Sequence, residues 1–384
     1  MGNTVYGIYI CRAPISNFFC LCTHVHVLCI VYIYTVHMYR RAIDAFSRRL
    51  AGFKLKILYL SCLLCVTVAS YYFGSYASCK VSYRFQSSKS FEQTQVAAFY
   101  VFSPTSETYV KNFIYFYNFA VTASQNGGFS TDYFLISNNL EGKTDLTISS
   151  LLEHCPTSPK NVQIFEKENN CFDLGSIGWL LEKDGTILER YNYYIWVNAS
   201  VRGPFLVPYA GIHWTEPFIR KLTGEVKLVG PSINCGCSGA DASAKPYPHV
   251  QSFVSATDRD GINILYQRGI FSCHQIKIDA VENGEIMASR VLMEMNFSIA
   301  SLMANQDIQW SSDTNTASCN SLKDPMQSEY QMGGVPVQIE EVVFVKVRPD
   351  LTLPSSSGAE ALSSWKSKEM TCLRDLLWFR RQSE

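Results

Sequence analysis

Net charge is the first thing this 384-residue sequence lacks, since 33 Lys and Arg face 33 Asp and Glu. Nucleic-acid binders carry a basic footprint, so no nucleic-acid partner is expected. Charge of either sign is scarce, at 17% of residues against 47% hydrophobic and 13% aromatic. Disordered chains have the opposite profile, so most of this one is expected to fold. The patterns G-x-x-x-x-G-K-[ST], G-x-G-x-x-G after a strand, H-E-x-x-H and G-x-S-x-G are all missing. Their absence argues against kinase, dehydrogenase, zinc-protease and serine-hydrolase chemistry. Internal repeats and low-complexity tracts are missing too.

Two stretches lack Lys, Arg, Asp and Glu altogether, residues 13–39 and 57–79. A helix needs ~20 mostly apolar residues to span the hydrocarbon core. Residues 57–79 are the better candidate, being dense in aliphatics with Tyr71, Tyr72 and Tyr76 at an interfacial position. Arg40, Arg41, Arg48, Arg49, Lys54 and Lys56 precede it against a lone Asp44. The positive-inside rule then makes residues 1–56 a cytoplasmic tail and 57–79 a type II signal anchor with the remainder lumenal. The segment exceeds the usual apolar core of a cleaved signal peptide, ~7–15 residues. Residues 13–39 read as a second span, a poor signal sequence or a translated stretch outside the working protein. Met38 opens a sensible short tail, and translation from it is expected to give the functional form. Nothing after Cys79 is long and apolar enough to span again.

Fourteen cysteines are present. Cys155, Cys171, Cys235, Cys237, Cys273 and Cys319 fall inside the expected lumenal domain, residues 96–348, where an oxidising compartment favours disulfides. Six cysteines allow 15 pairings, and the sequence does not choose among them. Cys62-x-x-Cys65 has redox-motif spacing but, within a span, reads as apolar filler or a lipidation site, and Cys235-Gly-Cys237 lacks the companion ligands of a metal site.

Residues 80–95 are polar and read as a stem. Buried parallel strands are expected at 96–102, 133–137, 162–165 and 193–197, with a strand at 225–230 and a last one at 340–347. Helices are expected over 107–123, in or around 174–189, over 250–266 and over 284–295. Strands alternating with helices indicate an α/β domain with a mainly parallel sheet over 96–348, followed by a linker and tail at 349–384. Ligands bind such sheets beyond the carboxyl ends of the strands, which places Asn138, residues 170–175 and residues 198–203 around one crevice.

Several polar clusters stand beside glycine or aromatics: Asn198-Ala-Ser-Val-Arg-Gly-Pro204, Cys171-Phe-Asp-Leu-Gly175, His213-Trp-Thr-Glu-Pro-Phe218, Pro248-His-Val-Gln-Ser252 and Glu282-Asn-Gly-Glu285. The 198–204 cluster resembles the Asn-Asp-Ser-x-x-Gly-Pro segment of the rhamnan synthesis protein F family of glycosyltransferases. Eukaryotic relatives look closer still, with Asn-Ser-Ser-Val-Arg-Gly-Pro. Asn169-Asn-Cys-Phe-Asp-Leu-Gly175 resembles the family's Asn-x-Gly-Tyr-Asp-x-Gly, His249-Val-Gln-Ser252 its His-x-Gln-Ser, Glu282-Asn-Gly284 its Glu-x-Gly, and 336–346 its closing strand. The five matches keep their order and cover roughly residues 96–347.

The resemblance implies a GT-A-like, Rossmann-related fold and transfer of a sugar from a nucleotide-sugar donor to a glycan acceptor hydroxyl, in the Golgi or endoplasmic reticulum. Most GT-A enzymes hold a divalent metal (Mn or Mg) through Asp-x-Asp after the central strand; Asn198-Ala199-Ser200 stands there with no carboxylate, so a metal is not assigned. Arg202, or His213 and Lys346, could supply positive charge for the departing diphosphate. Asp173, with Gly175, Asn198 and Ser200, is expected to bind the donor, Asp173 at the ribose or base. Glu282 or Glu285 is the candidate base for an inverting displacement. His213, Trp214, His249, Gln251 and Ser252 are expected to line the sugars. Each has a structural alternative: Asp173 as a helix N-cap, Glu282 and Glu285 as favourable charges at a helix start, His249 and Trp214 as core, Arg202 as a structural ion pair. A non-catalytic, membrane-tethered lectin or interaction protein is the rival to the enzyme, and the missing carboxylates at 198–200 favour it. Asn198 and Asn296 open N-glycosylation sequons, and Asn296 is the expected acceptor.

Overall fold

The computed structural model describes residues 94–373 except 124–128, 140–145, 154, 156–158, 235–247, 305–309, 312–324 and 326–336. The expected tail, anchor and most of the stem, the Met38 start, and Cys235, Cys237 and Cys319 lie outside the described residues. Among those described, no helix is long and apolar enough to cross a membrane.

In chain order the strands are β1 (Thr94–Phe102), β2 (Phe129–Asn139), β3 (Val162–Glu168), β4 (Tyr193–Asn198), β5 (Val201–Arg202), β6 (Val226–Gly230), β7 (Ile233–Asn234), β8 (His249–Val250), β9 (Val254–Asp258), β10 (Ser298–Ser301) and β11 (Val345–Lys346). Seven of them form one sheet in the order β3-β2-β1-β4-β9-β6-β10. Neighbours run parallel except at β9, which is antiparallel to both β4 and β6. The longer helices are α1 (Glu107–Phe116), α2 (Asp173–Lys183), α3 (Arg259–Gln267), α4 (Met287–Glu294) and α5 (Pro354–Lys366). This is a mixed α/β domain with a mostly parallel, Rossmann-like central sheet, as the alternation of apolar runs and helical patterns implies.

β1 shows why the strands read as unbroken apolar runs. Val96, Ala98, Tyr100 and Phe102 enter one core, and Ala97, Phe99 and Val101 enter the other. Successive side chains alternate across the sheet, and with helices on both sides each parity must be apolar. α1 starts where Ser106 accepts a hydrogen bond from the Tyr109 amide, and packs Phe113 and Phe116 against Tyr100. α2 crosses the opposite face so closely that a Cβ on Gly178 would stand 2.0 Å from the Phe271 carbonyl oxygen. Gly178→Ala is therefore expected to destabilise the domain by about 1–3 kcal/mol through overpacking. A melting temperature unchanged from wild type would refute this close approach.

Three segments differ from the sequence expectation. Residues 250–258 are not helical: β8 and β9 occupy them, and helix α3 begins only where the Asp258 carboxylate accepts from the Gly261 amide. β9 fills the slot between β4 and β6, and Val254 and Ala256 are fully buried there. The expected strand at 340–347 is a short helix, Ile339–Val342, followed by β11. The break is Val343 at φ 65°, costly for a β-branched residue and fixed by the Phe205 amide donating to its carbonyl at 2.8 Å. Residues 353–373 are not a loose tail. Ser356 donates to the Lys346 carbonyl at 2.7 Å, Asn118 donates to the Cys372 carbonyl at 2.8 Å, and Cys155 and Cys372 are disulfide-bonded with Cα atoms 5.1 Å apart.

Candidate functional site

Strand order reverses at β1, since β2 and β3 extend to one side of it and β4 lies on the other. In open parallel sheets the crevice beyond the carboxyl ends at such a reversal is where ligands bind. Three segments meet there. The turn after β4 carries Asn198 and Ser200, the first residue of α2 is Asp173, and the loop entering β9 carries residues 249–253.

Asn198 is the hinge of the first group. Its amide donates to the Asp173 carboxylate at 2.8 Å, and its carbonyl oxygen accepts from the Ser200 amide at 3.0 Å and the Ser200 hydroxyl at 2.6 Å. Asp173 opens α2 rather than preceding it, because Phe172 occupies the cap position. Burial pushes its carboxyl up from the usual aspartate value, against the Asn198 hydrogen bond, and the nearby Glu285 charge adds to the rise.

Glu285 anchors the second group. It sits in a π-helical turn, Val281–Ile286, that runs into α4, and such insertions recur at functional sites. Buried Gly284 lets this turn approach α2, since a Cβ there would meet Leu174 at 3.0 Å. The Ser252 amide donates to Glu285 at 2.9 Å, its hydroxyl donates to the same oxygen, and His249 Nε2 forms an ion pair at 3.6 Å. Burial alone would raise this carboxyl. The His249 ring, the Lys346 charge and the Ser252 hydrogen bond outweigh it and hold Glu285 down at about 2. Lys346 is buried, its ammonium 5.0 Å from the Phe253 ring centroid. Gln251 lies one residue from Ser252 and accepts from the Ser232 hydroxyl at 2.8 Å.

Asp173, Asn198, Ser200, His249, Gln251, Ser252 and Glu285 thus come together at this end of the sheet. Gly175 serves packing, since a Cβ there would meet Cys171 Cβ at 2.9 Å. The other expected site residues lie elsewhere. Arg202 is buried, its Nε donating to Asn112 at 2.9 Å among Tyr100 and Tyr115, which makes it a structural cation. Trp214 is core: its indole donates to Tyr133 at 3.0 Å, and its ring packs edge-on to Phe116 and Phe344. His213 is buried beside Thr215, with ring Nδ1 2.8 Å from the Thr215 hydroxyl. Glu282 is exposed and outside the network. Asn296 is exposed, as its expected glycan requires, whereas Asn198 is committed to the network.

Sequence reasoning missed Asn112. Its amide donates to the Ala199 carbonyl at 2.8 Å and to the Val347 carbonyl at 3.0 Å, fixing the 198–200 turn from behind. The one sequence signal was a polar residue leading into the apolar run Phe113-Ile-Tyr-Phe116.

Among the described residues no cluster of three His, Cys, Asp or Glu could hold a metal. Residues 198–200 do not fit a divalent cation either, because they carry no carboxylate and the Asn198 side-chain oxygen already accepts from the Ser200 amide and hydroxyl.

Two acid-labile windows follow. Burial depresses His213 from 6.5 to about 4, so the folded state resists its protonation and stability falls as pH drops through that interval. Glu285 is depressed from 4.5 to about 2, so its contribution is intact above 4.5 and lost below. His213→Gln is expected to flatten the upper window and Glu285→Gln the lower, measured by melting temperature against pH. Unaltered profiles would contradict both assignments.

Neither a scan against protein-family models nor a search of curated proteins finds a significant match to the chain.

Proposed function

We propose that this chain is a glycosyltransferase of GT-A-like architecture, moving a sugar from a nucleotide-sugar donor to an acceptor hydroxyl. The observation that carries the reading is the meeting of two carboxylates, Asp173 and Glu285, with Asn198, Ser200, Ser252 and His249 at the sheet's carboxyl edge, where burial raises the first carboxyl and its polar neighbours lower the second. Environments that push two neighbouring carboxyls apart assign them different roles. The ordered resemblance to the rhamnan synthesis protein F family supports the same reading, and four of its five motifs supply residues to this crevice.

Asp173 is then the base. The acceptor oxygen attacks the anomeric carbon, its proton passes to Asp173, and the bond to the diphosphate breaks with its electron pair leaving on the phosphate oxygen. Glu285, its carboxyl held below the usual glutamate range, is the weaker base and instead orders Ser252 and His249. Lys346 supplies the positive charge that Arg202, buried elsewhere, does not. No step is routed through a metal.

We place the domain in the lumen of the Golgi or endoplasmic reticulum behind the 57–79 anchor. The two cysteine pairs at disulfide distance, Cys155–Cys372 and Cys171–Cys273, support an oxidising compartment. The missing carboxylates at 198–200 favour the lectin reading as the second choice.

Thermal shift of the full-length chain against UDP-, GDP-, dTDP- and CMP-sugars separates them. One donor at a hundred times its Kd is expected to stabilise the domain by about 2.7 kcal/mol. If none shifts the transition and none is hydrolysed, the enzyme reading falls.

A further inference from the structure

A cleft of about 320 Å³ lies on the far side of α2's first turns, between the end of β3 and the loop that follows α3. Lys167, Glu168, Asn170, Trp179, Glu182 and Phe271 line it, and the disulfide Cys171–Cys273 forms one wall. It is distinct from the Asn198 and Glu285 networks but shares a helical turn with them, since Asp173 lies between Cys171 and Gly175, which both line the cleft. The size is at the low end of small-molecule pockets, roughly 300–1,000 Å³.

The lining chemistry selects among ligands. Among the described residues it offers one ammonium against two carboxylates, a balance that repels phosphate and nucleotide groups. Carboxylates accept hydroxyl hydrogens, and the Lys167 ammonium, held by the Glu168 carbonyl at 2.6 Å and Asn170 Oδ1 at 2.9 Å, donates. Trp179 is half-buried, with the Lys183 ammonium 5.0 Å from its ring centroid, so a fixed indole borders the space. An indole carrying the Lys183 ammonium on one face, beside two carboxylates and the Lys167 ammonium, suits a polyol with one apolar face.

We propose that this cleft binds a neutral pyranose saccharide and serves as an acceptor-glycan subsite, holding a sugar unit of the acceptor remote from the reacting hydroxyl, across the first turn of α2 from Asp173. Its role as an acceptor subsite rests on the glycosyltransferase reading; saccharide binding by itself does not.

The test is saturation-transfer NMR and titration calorimetry on the full-length chain with methyl mannoside, methyl galactoside, methyl rhamnoside, lactose and cellobiose. At least one is expected to bind, with Glu182→Gln and Trp179→Ala each weakening it by about tenfold or more. Glu182 is exposed, so Glu182→Gln remains informative if Trp179→Ala does not fold. The thermal shift by the nucleotide sugar is expected to survive Glu182→Gln. Absence of binding by every saccharide overturns the proposal, as does binding that both variants leave unchanged. Preferential binding of an amino sugar or polyamine over the neutral saccharides overturns it as well, since the two carboxylates would then be reading charge. Saccharide binding without any donor shift removes the transferase reading and leaves the cleft as a lectin site. A donor shift without saccharide binding does the reverse.

Discussion

Asp173→Asn is expected to cut sugar transfer by about 10²–10⁴-fold, the range over which a positioned base contributes. The fold is expected to hold, because an amide at 173 still offers Asn198 an oxygen in place of the carboxylate contact at 2.8 Å. The pH profile carries the sharper signature. A base must be deprotonated to act, and burial raises this one above 3.8. Wild-type kcat/KM is therefore expected to fall on the acid side at a pH above the ordinary aspartate value, and the variant to lose that limb. Glu285→Gln is expected to cost less and to keep the limb, since Glu285 orders Ser252 and His249 rather than taking the proton. Should Asp173→Asn retain more than a tenth of wild-type turnover with an unchanged profile, Asp173 is not the base.

Asn112→Ala is expected to have the largest effect on stability, on the order of 3–5 kcal/mol. One side chain satisfies the Ala199 and Val347 carbonyls and takes the hydrogen bond from Arg202 Nε. Removing it strands a cation in the interior, where burial already lowers the Arg202 pKa. For a domain of this size the melting temperature is expected to drop by roughly ten degrees. Asn112→Asp separates the contributions, because it keeps an acceptor for Arg202 and loses the donor to both carbonyls. A change of less than about two degrees in the Ala variant would show that the cation finds another partner.

The sheet was legible in the sequence because both of its faces are buried. Strands such as β1 and β4 appear as short apolar runs bounded by polar turns, and their order with helices between them dictates a parallel arrangement. Residues 250–258 misled for the same reason, since a fully buried strand has no polar alternation to distinguish it from a helix. Asp258, which caps α3, was the available marker of the true boundary.

The crevice was legible where a polar group directly follows an apolar strand, as at Asn198, and where glycine marks a close approach, as at Gly284. Arg202 shows the limit. It belongs to the same seven-residue cluster as Asn198 and Ser200, but the chain turns into β5 and sends the guanidinium back to α1. Gly203 completes that turn at φ 156°, where a Cβ would meet Phe344 and the Val343 carbonyl at 2.5 Å. Motif membership therefore did not reveal which side of the backbone each residue serves. The Trp214 cluster misled similarly: His and Trp beside Thr and Glu look like a sugar platform, yet Tyr133, Phe116 and Phe344 close around that indole.

The closure of the domain by its final described residues bears on how the protein is made. Asn118, at the end of the first helix, is bonded to Cys372, 254 positions later, and Cys155 joins the same cysteine across 217. A ribosome delivering the chain from its amino end releases Asn118 and Cys155 long before the segment that holds them exists. Chains ending at residue 349 are expected to be cleaved by protease under conditions that the full-length chain resists.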